Sequence, residues 1–144
     1  MTHPEIVKVT YEDLRVWHGK FLADPPDDLL THIALFGGDR LTAISNGGGF
    51  HAVADGVVGA VTYSPTGESG SPGIVGLWVR PDWRRRKTGF DVASALMASA
   101  IDEMLAICGP VKIRIDVINR DAISAVSDAR LGDRTRHLDV RRHF

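Results

Sequence analysis

Polar and apolar residues alternate from Glu5 to Thr10, the period of a strand. Thr10 and Asp13 then have the spacing of a capping box, which predicts a helix carrying Leu14, Trp17 and Phe21. Prolines and acids at Pro25-Pro26-Asp27-Asp28, followed by Leu29, Leu30, Ile33 and Phe36 at helical spacing, predict a second helix stopped by Gly37-Gly38. Arg40 to Ile44 is too short for periodicity to decide and is read as helical. Phe50 to Ala54 and Val57 to Tyr63 flank Asp55-Gly56, the strongest hairpin signal in the chain. Ile74 to Val79 is almost unbroken apolar sequence closed by Arg80-Pro81, as expected of a central strand buried on both faces.

From Thr88 onward, apolar residues from Val92 to Leu105 recur every three or four positions until Gly109-Pro110, which predicts the longest helix. Val111, Ile113, Ile115 and Val117 alternate with Lys112, Arg114 and Asp116 as a further strand. Asn119 can cap a short helix with Ala122, Ile123, Val126 and Ala129, and Thr135 to Phe144 supplies one or two edge strands. The order β-α-α-β-β-β-α-β-α-β predicts a mixed α/β sheet with helices on its faces, and 144 residues suit a single domain, 1–144.

Composition narrows the classes. Val92 to Cys108 is broken by Ser94, Ser99, Asp102 and Glu103, which argues against a membrane span, and the start of the chain lacks a basic-then-apolar leader pattern. With Cys108 as the one cysteine, these features predict a cytoplasmic protein with a small, buried thiol near a helix end. The six histidines show no metal-ligand spacing, so no metal is expected. The net charge of -1 hides an asymmetry: 9 acids and 4 bases in residues 1–72, against 9 acids and 13 bases in residues 73–144. A basic half suits an anionic ligand. Acids interrupt the basic tail from Arg134 to His143 and no aromatic series accompanies it, which argues against nucleic acid.

The chemistry concentrates at Arg84-Arg85-Arg86-Lys87-Thr88-Gly89, between a buried strand and the start of the longest helix. A helix start offers N–H donors without intrahelical acceptors and positive potential, to which four cations add, so a phosphate or diphosphate is the natural ligand. A solvated turn is the competing reading. Walker and dinucleotide glycine patterns are both missing.

Leu77-Trp78-Val79-Arg80-Pro81-Asp82-Trp83 followed by Arg84 to Gly89 resembles the signature of the GNAT superfamily of acyl-CoA-dependent acyltransferases, in which Arg/Gln-x-x-Gly-x-Gly/Ala opens the diphosphate-binding helix. Lys87 stands where that family usually has its first glycine. Asn119-Arg120-Asp121-Ala122 resembles the family's second signature, Asn-x-x-Ala, and also reads as a plain helix N-cap. The resemblance implies a GNAT-like fold and acetyl-CoA as acyl donor. It further implies a cofactor-binding set of Leu77, Trp78, Val79, Arg84, Arg85, Arg86, Lys87, Thr88, Gly89, Phe90 and Asn119, with the first three holding the pantetheine arm where the central strand splays from its neighbour. The competing reading of Trp78 is a core aromatic, which is favoured over a direct part in catalysis.

Two family positions depart. Val126 replaces the tyrosine that protonates the departing thiolate, leaving Ser127, Ser124 or water; Ser127 is the catalytic candidate, and its other reading is a surface helix serine. Val75 and Gly76 occupy the place of the acidic base, which leaves water, His51, Asp55 or Asp116 for deprotonation. The expected activity is transfer of an acetyl or short acyl group to a primary amine of a small molecule or protein. The alternative is a catalytically weak or inactive CoA-binding or interaction module. Edge strands near the C-terminus leave room for a homodimer.

Overall fold

The computed structural model describes residues 3–16, 47–65, 72–83, 91–109, 112–117 and 129–142. The expected second helix at Pro25 to Phe36, the segment Arg40 to Ile44 and the short helix after Asn119 lie outside the described residues. Among those described, six strands run in spatial order β1 to β6: β1 (Glu5–Thr10), β2 (Gly48–Ala54), β3 (Gly56–Ser64), β4 (Gly73–Val79), β5 (Ile113–Val117) and β6 (Leu138–Arg142). The first four are antiparallel, whereas β4 with β5 and β5 with β6 are parallel. This mixed α/β sheet is consistent with the GNAT-like architecture expected from the sequence.

Local signals account for much of it. Thr10 N donates to Asp13 Oδ2 at 3.0 Å and Asp13 N donates to Thr10 Oγ1 at 3.1 Å, a reciprocal capping box that starts a helix at residues 11–16. That box places Leu14, fully buried, against β2. The β2–β3 hairpin turns at Asp55-Gly56, where Gly56 has φ 70°, a left-handed conformation that glycine adopts without strain.

β2 begins at Gly48, earlier than expected, because Gly48 and Gly49 read as loop but pair with Tyr63 and Thr62. The backbones are so close here that a Cβ on Gly49 would lie 2.3 Å from the Val61 carbonyl oxygen, so the glycines serve close approach of strands rather than a turn. The tail forms one described strand, β6, parallel to β5 over its whole length, preceded by 3-10 turns over Ala129–His137 instead of the helical Ala129 anticipated.

The long helix spans Val92–Cys108 and not the stretch from Thr88 onward: Asp91, extended at φ -91° and ψ 99°, is its N-cap, accepting from Ser94 N, and Gly109 at φ 80° ends it. Its apolar side, including Val92, Leu96, Met97, Ala100, Ile101 and Met104, joins Val61, Tyr63, Leu77, Val79, Ile113 and Ile115 in one core cluster. The helix therefore lies on a single face of the sheet, over β1 to β4 and nearest to β3, with its Glu103 paired to Lys8 of β1. A separate cluster, Val9 with Leu14, lies on the other face. Cys108, half-buried at the helix end, sits 3.8 Å from the Pro65 carbonyl oxygen. Among the described residues no helix is long and apolar enough to cross a membrane.

Candidate functional site

The feature that sets the site is a change of register in the central strand. β3 and β4 pair regularly from Gly59↔Val79 to Thr62↔Gly76, but the next pair is Tyr63↔Ile74. Val75 is thus an extra residue on β4, a bulge that bends the strand and increases its twist. On its other side β4 pairs with β5 only at Gly73↔Arg114 and Ile74↔Ile115, so the two part where the bulge falls. β5 keeps its pairing with β6 through Val117↔Arg142. β5 and β6 consequently leave β4 together, and a wedge opens towards the carboxyl ends of the two parallel strands.

Leu77, Trp78 and Val79 form the β4 wall of this wedge, all 3% exposed or less. Leu77 and Val79 pack under the long helix, while Trp78 points to the opposite face, in register with Ala60 and, one strand further, His51. Trp78 is a buried aromatic, as its core reading anticipated. In sequence, the cationic turn follows β4 after the four residues Arg80 to Trp83, and Asn119 follows β5 by two residues. Arg84, Arg85, Arg86, Lys87, Thr88, Gly89, Phe90, Asn119 and Ser127 themselves lie outside the described residues. A strand edge without a neighbouring strand can receive an extended, amide-bearing chain, and ligands of open parallel sheets collect at the strands' carboxyl ends.

Two charged groups at the mouth are already engaged. Arg80 grips Asp82 in two-point fashion at 2.6 and 3.0 Å and donates to the Asp55 carbonyl oxygen at 2.9 Å. It ties the end of β4 to the β2–β3 turn and is spent on structure. Asp91 accepts from Ser94 N and Ser94 Oγ at 3.3 and 2.8 Å. One of the helix-start donors that an anion could have used is therefore bound to a carboxylate.

The candidate bases fall apart in space. Asp55 is at the hairpin tip and Asp116 is on β5. His51 is two strands from β4, roughly 10 Å by the ordinary strand spacing. Burial pushes the His51 imidazole down to about 4, only partly opposed by Asp13. The folded chain keeps the neutral form, whereas the unfolded chain binds a proton near 6.5. Stability from this group is complete above pH 6.5 and falls as the pH drops towards 4, by roughly 3 kcal/mol at most. Urea unfolding of the protein and of His51→Gln between pH 7 and 4.5 should show a markedly shallower loss in the variant.

A residue that no sequence motif singles out stands beside the bulge. Thr62, fully buried, has no hydrogen-bond partner for Oγ1, an arrangement that costs roughly 1–3 kcal/mol. The available signal was a single hydroxyl-bearing threonine in the apolar run Val57 to Tyr63.

The chain matches the Acetyltransferase (GNAT) family over residues 8–125, most of its length. It belongs to that family, whose members are acetyltransferase-type enzymes that bind acyl-CoA. Neither the curated proteins nor the solved structures yield a match. No group of three or more histidine, cysteine or acidic side chains suited to a metal occurs among the described residues.

Proposed function

We propose that the chain, as one domain over 1–144, transfers an acetyl or short acyl group from acyl-CoA to a primary amine of a small molecule or protein. The parting of β4 from β5 after Ile74 carries this reading, because it gives the pantetheine arm a strand edge next to the two motifs that resemble the family's cofactor signatures. Leu77, Trp78 and Val79 line the arm. Arg84 to Phe90 hold the diphosphate, with Lys87 contributing its backbone and a further cation, and Asn119 meets the arm from the β5 side.

Acyl-CoA supplies a thioester whose carbonyl a backbone N–H of β4 polarises. The amine nitrogen forms the new bond to that carbon, the C–S bond breaks, one amine proton passes to water or to a nearby base, and the thiolate takes a proton from water or Ser127. Most of the acceleration comes from holding the two reactants together. A cytoplasmic location belongs to the same reading.

The second reading is a CoA-binding module without turnover, favoured by Val126 and by Val75 and Gly76 in place of the usual acid and base. Calorimetry with CoA and acetyl-CoA, followed by thiol release in the presence of spermidine, lysine amide, tyramine and a tetrapeptide with a free N-terminus, separates the two. Binding with amine-dependent thiol release is expected. Binding alone selects the module, and no binding at millimolar CoA removes both.

A further inference from the structure

The cationic run from Arg84 to Lys87 can hold an anion only with charge that nearby carboxylates do not neutralise. Asp82 stands two residues before Arg84. Two trans peptide units separate their Cα atoms by at most about 7.6 Å, close enough for the two side chains to meet. An ion pair between them would compete with a diphosphate for the same donors.

The structure holds the Asp82 carboxylate elsewhere. Arg80 Nε donates to Asp82 Oδ1 at 2.6 Å and Arg80 Nη2 donates to Asp82 Oδ2 at 3.0 Å, the two-point geometry that fixes a carboxylate most firmly. Asp82 has a side chain 54% exposed, so packing does not set its direction; the guanidinium does. Arg80 is anchored in turn. Its Nη1 donates to the Asp55 carbonyl oxygen at 2.9 Å and its backbone N–H donates to the Val58 carbonyl oxygen at 2.8 Å. Both acceptors belong to the β2–β3 hairpin. Because β3 and β5 flank β4 on opposite sides and the wedge opens on the β5 side, Arg80 draws the carboxylate towards the strand remote from the wedge.

We propose that Arg80 is a positioning residue for CoA: by holding Asp82 on the hairpin side of β4, it keeps that carboxylate from neutralising the cationic turn. The inference rests on the reading of Arg84 to Phe90 as the diphosphate site and deepens it. In this role Arg80 touches neither cofactor nor acceptor. Without it, Asp82 pairs with the run and the diphosphate meets a weaker field.

Calorimetry with CoA on single and double variants tests the assignment. Arg80→Gln should weaken binding roughly 5-fold, the size of a competing ion pair at an exposed site. Asp82→Asn alone should leave it within about twofold, and Arg80→Gln combined with Asp82→Asn should return it to within about twofold of the unaltered protein. Removing any nearby negative charge favours an anion, so Arg80→Gln combined with Asp55→Asn is the control. Asp55 is exposed at the hairpin tip, and its neutralisation should restore nothing. Thermal unfolding checks that each variant folds; if Arg80→Gln does not, Arg80→Lys, which loses the two-point grip, takes its place with the same pattern expected. A clamp with a purely structural role gives the opposite pattern: Asp82→Asn alone weakens binding as much as Arg80→Gln, and the double variant is no better than either. That pattern overturns the assignment, as does unchanged affinity in Arg80→Gln or equal rescue by Asp55→Asn. Absence of CoA binding by the unaltered protein removes the diphosphate reading, and the role of Arg80 with it.

Discussion

Deleting Val75 should abolish CoA binding while leaving a folded protein. With that residue gone, Ile74 and Gly76 become consecutive and can pair with Tyr63 and Thr62 without interruption, the partners they already have. Leu77 and Val79 keep their places opposite Val61 and Gly59, so the packing beneath the long helix survives. What disappears is the bend. A straight β4 can follow β5 beyond Ile74, and the strand edge that should receive the pantetheine arm is then filled by β5. Calorimetry should show CoA affinity reduced by at least about 100-fold, a loss near 3 kcal/mol. Circular dichroism and a cooperative thermal transition should persist. Retained binding would show that the long helix, and not the bulge, holds the wedge open.

The second large effect is expected from the cationic turn. Changing Arg84, Arg85, Arg86 and Lys87 together to serine should weaken CoA binding by roughly 100-fold or more, because each charge-assisted hydrogen bond to phosphate contributes about 1.5–3 kcal/mol. The Asp91 carboxylate caps the helix that follows, so the helix end has less positive potential to lend once the side chains are gone. Affinity of the unaltered protein should also fall with added salt, and that dependence should flatten in the variant. Calorimetry at two ionic strengths reads both. Equal affinity in the two proteins would reassign the run to a solvated turn.

Local chemistry makes several elements legible in the sequence alone. Thr10 with Asp13, Asp55-Gly56 and the alternation through Ile113 and Ile115 each carry their cause within a few residues, and each element forms where that cause lies. Asp91 with Ser94 is a further cap signal, passed over by a reading that begins at Thr88; the helix starts at Val92, where the apolar period itself begins. Other features depend on partners far along the chain. Gly48 and Gly49 become strand only because β3 approaches so closely. Nothing near Val75 marks it as the extra residue, since a bulge is a mismatch between two strands and exists only once both are paired. The parallel course of β6 against β5 is likewise a property of tertiary contacts. For the site, the sequence supplies the motifs and the expected wall, Leu77 to Val79, while the wedge and the orphaned Thr62 hydroxyl emerge only from registers.

The brief meeting of β4 with β5 also bears on how the chain assembles. Joining Gly73 to Arg114 closes a loop of about forty residues, and the return is only two ladder positions, too little to offset that entropy by strand pairing alone. The antiparallel pairings from β2 to β4 close only short connections, whereas β1 with β2 closes a loop of similar length but gains six ladder positions for it. The two halves are joined instead through the core: the long helix, emerging between β4 and β5 in the sequence, shares one apolar cluster with Leu77 and Val79 and with Ile113 and Ile115. The helix is the rivet and the wedge is the seam it leaves unsewn.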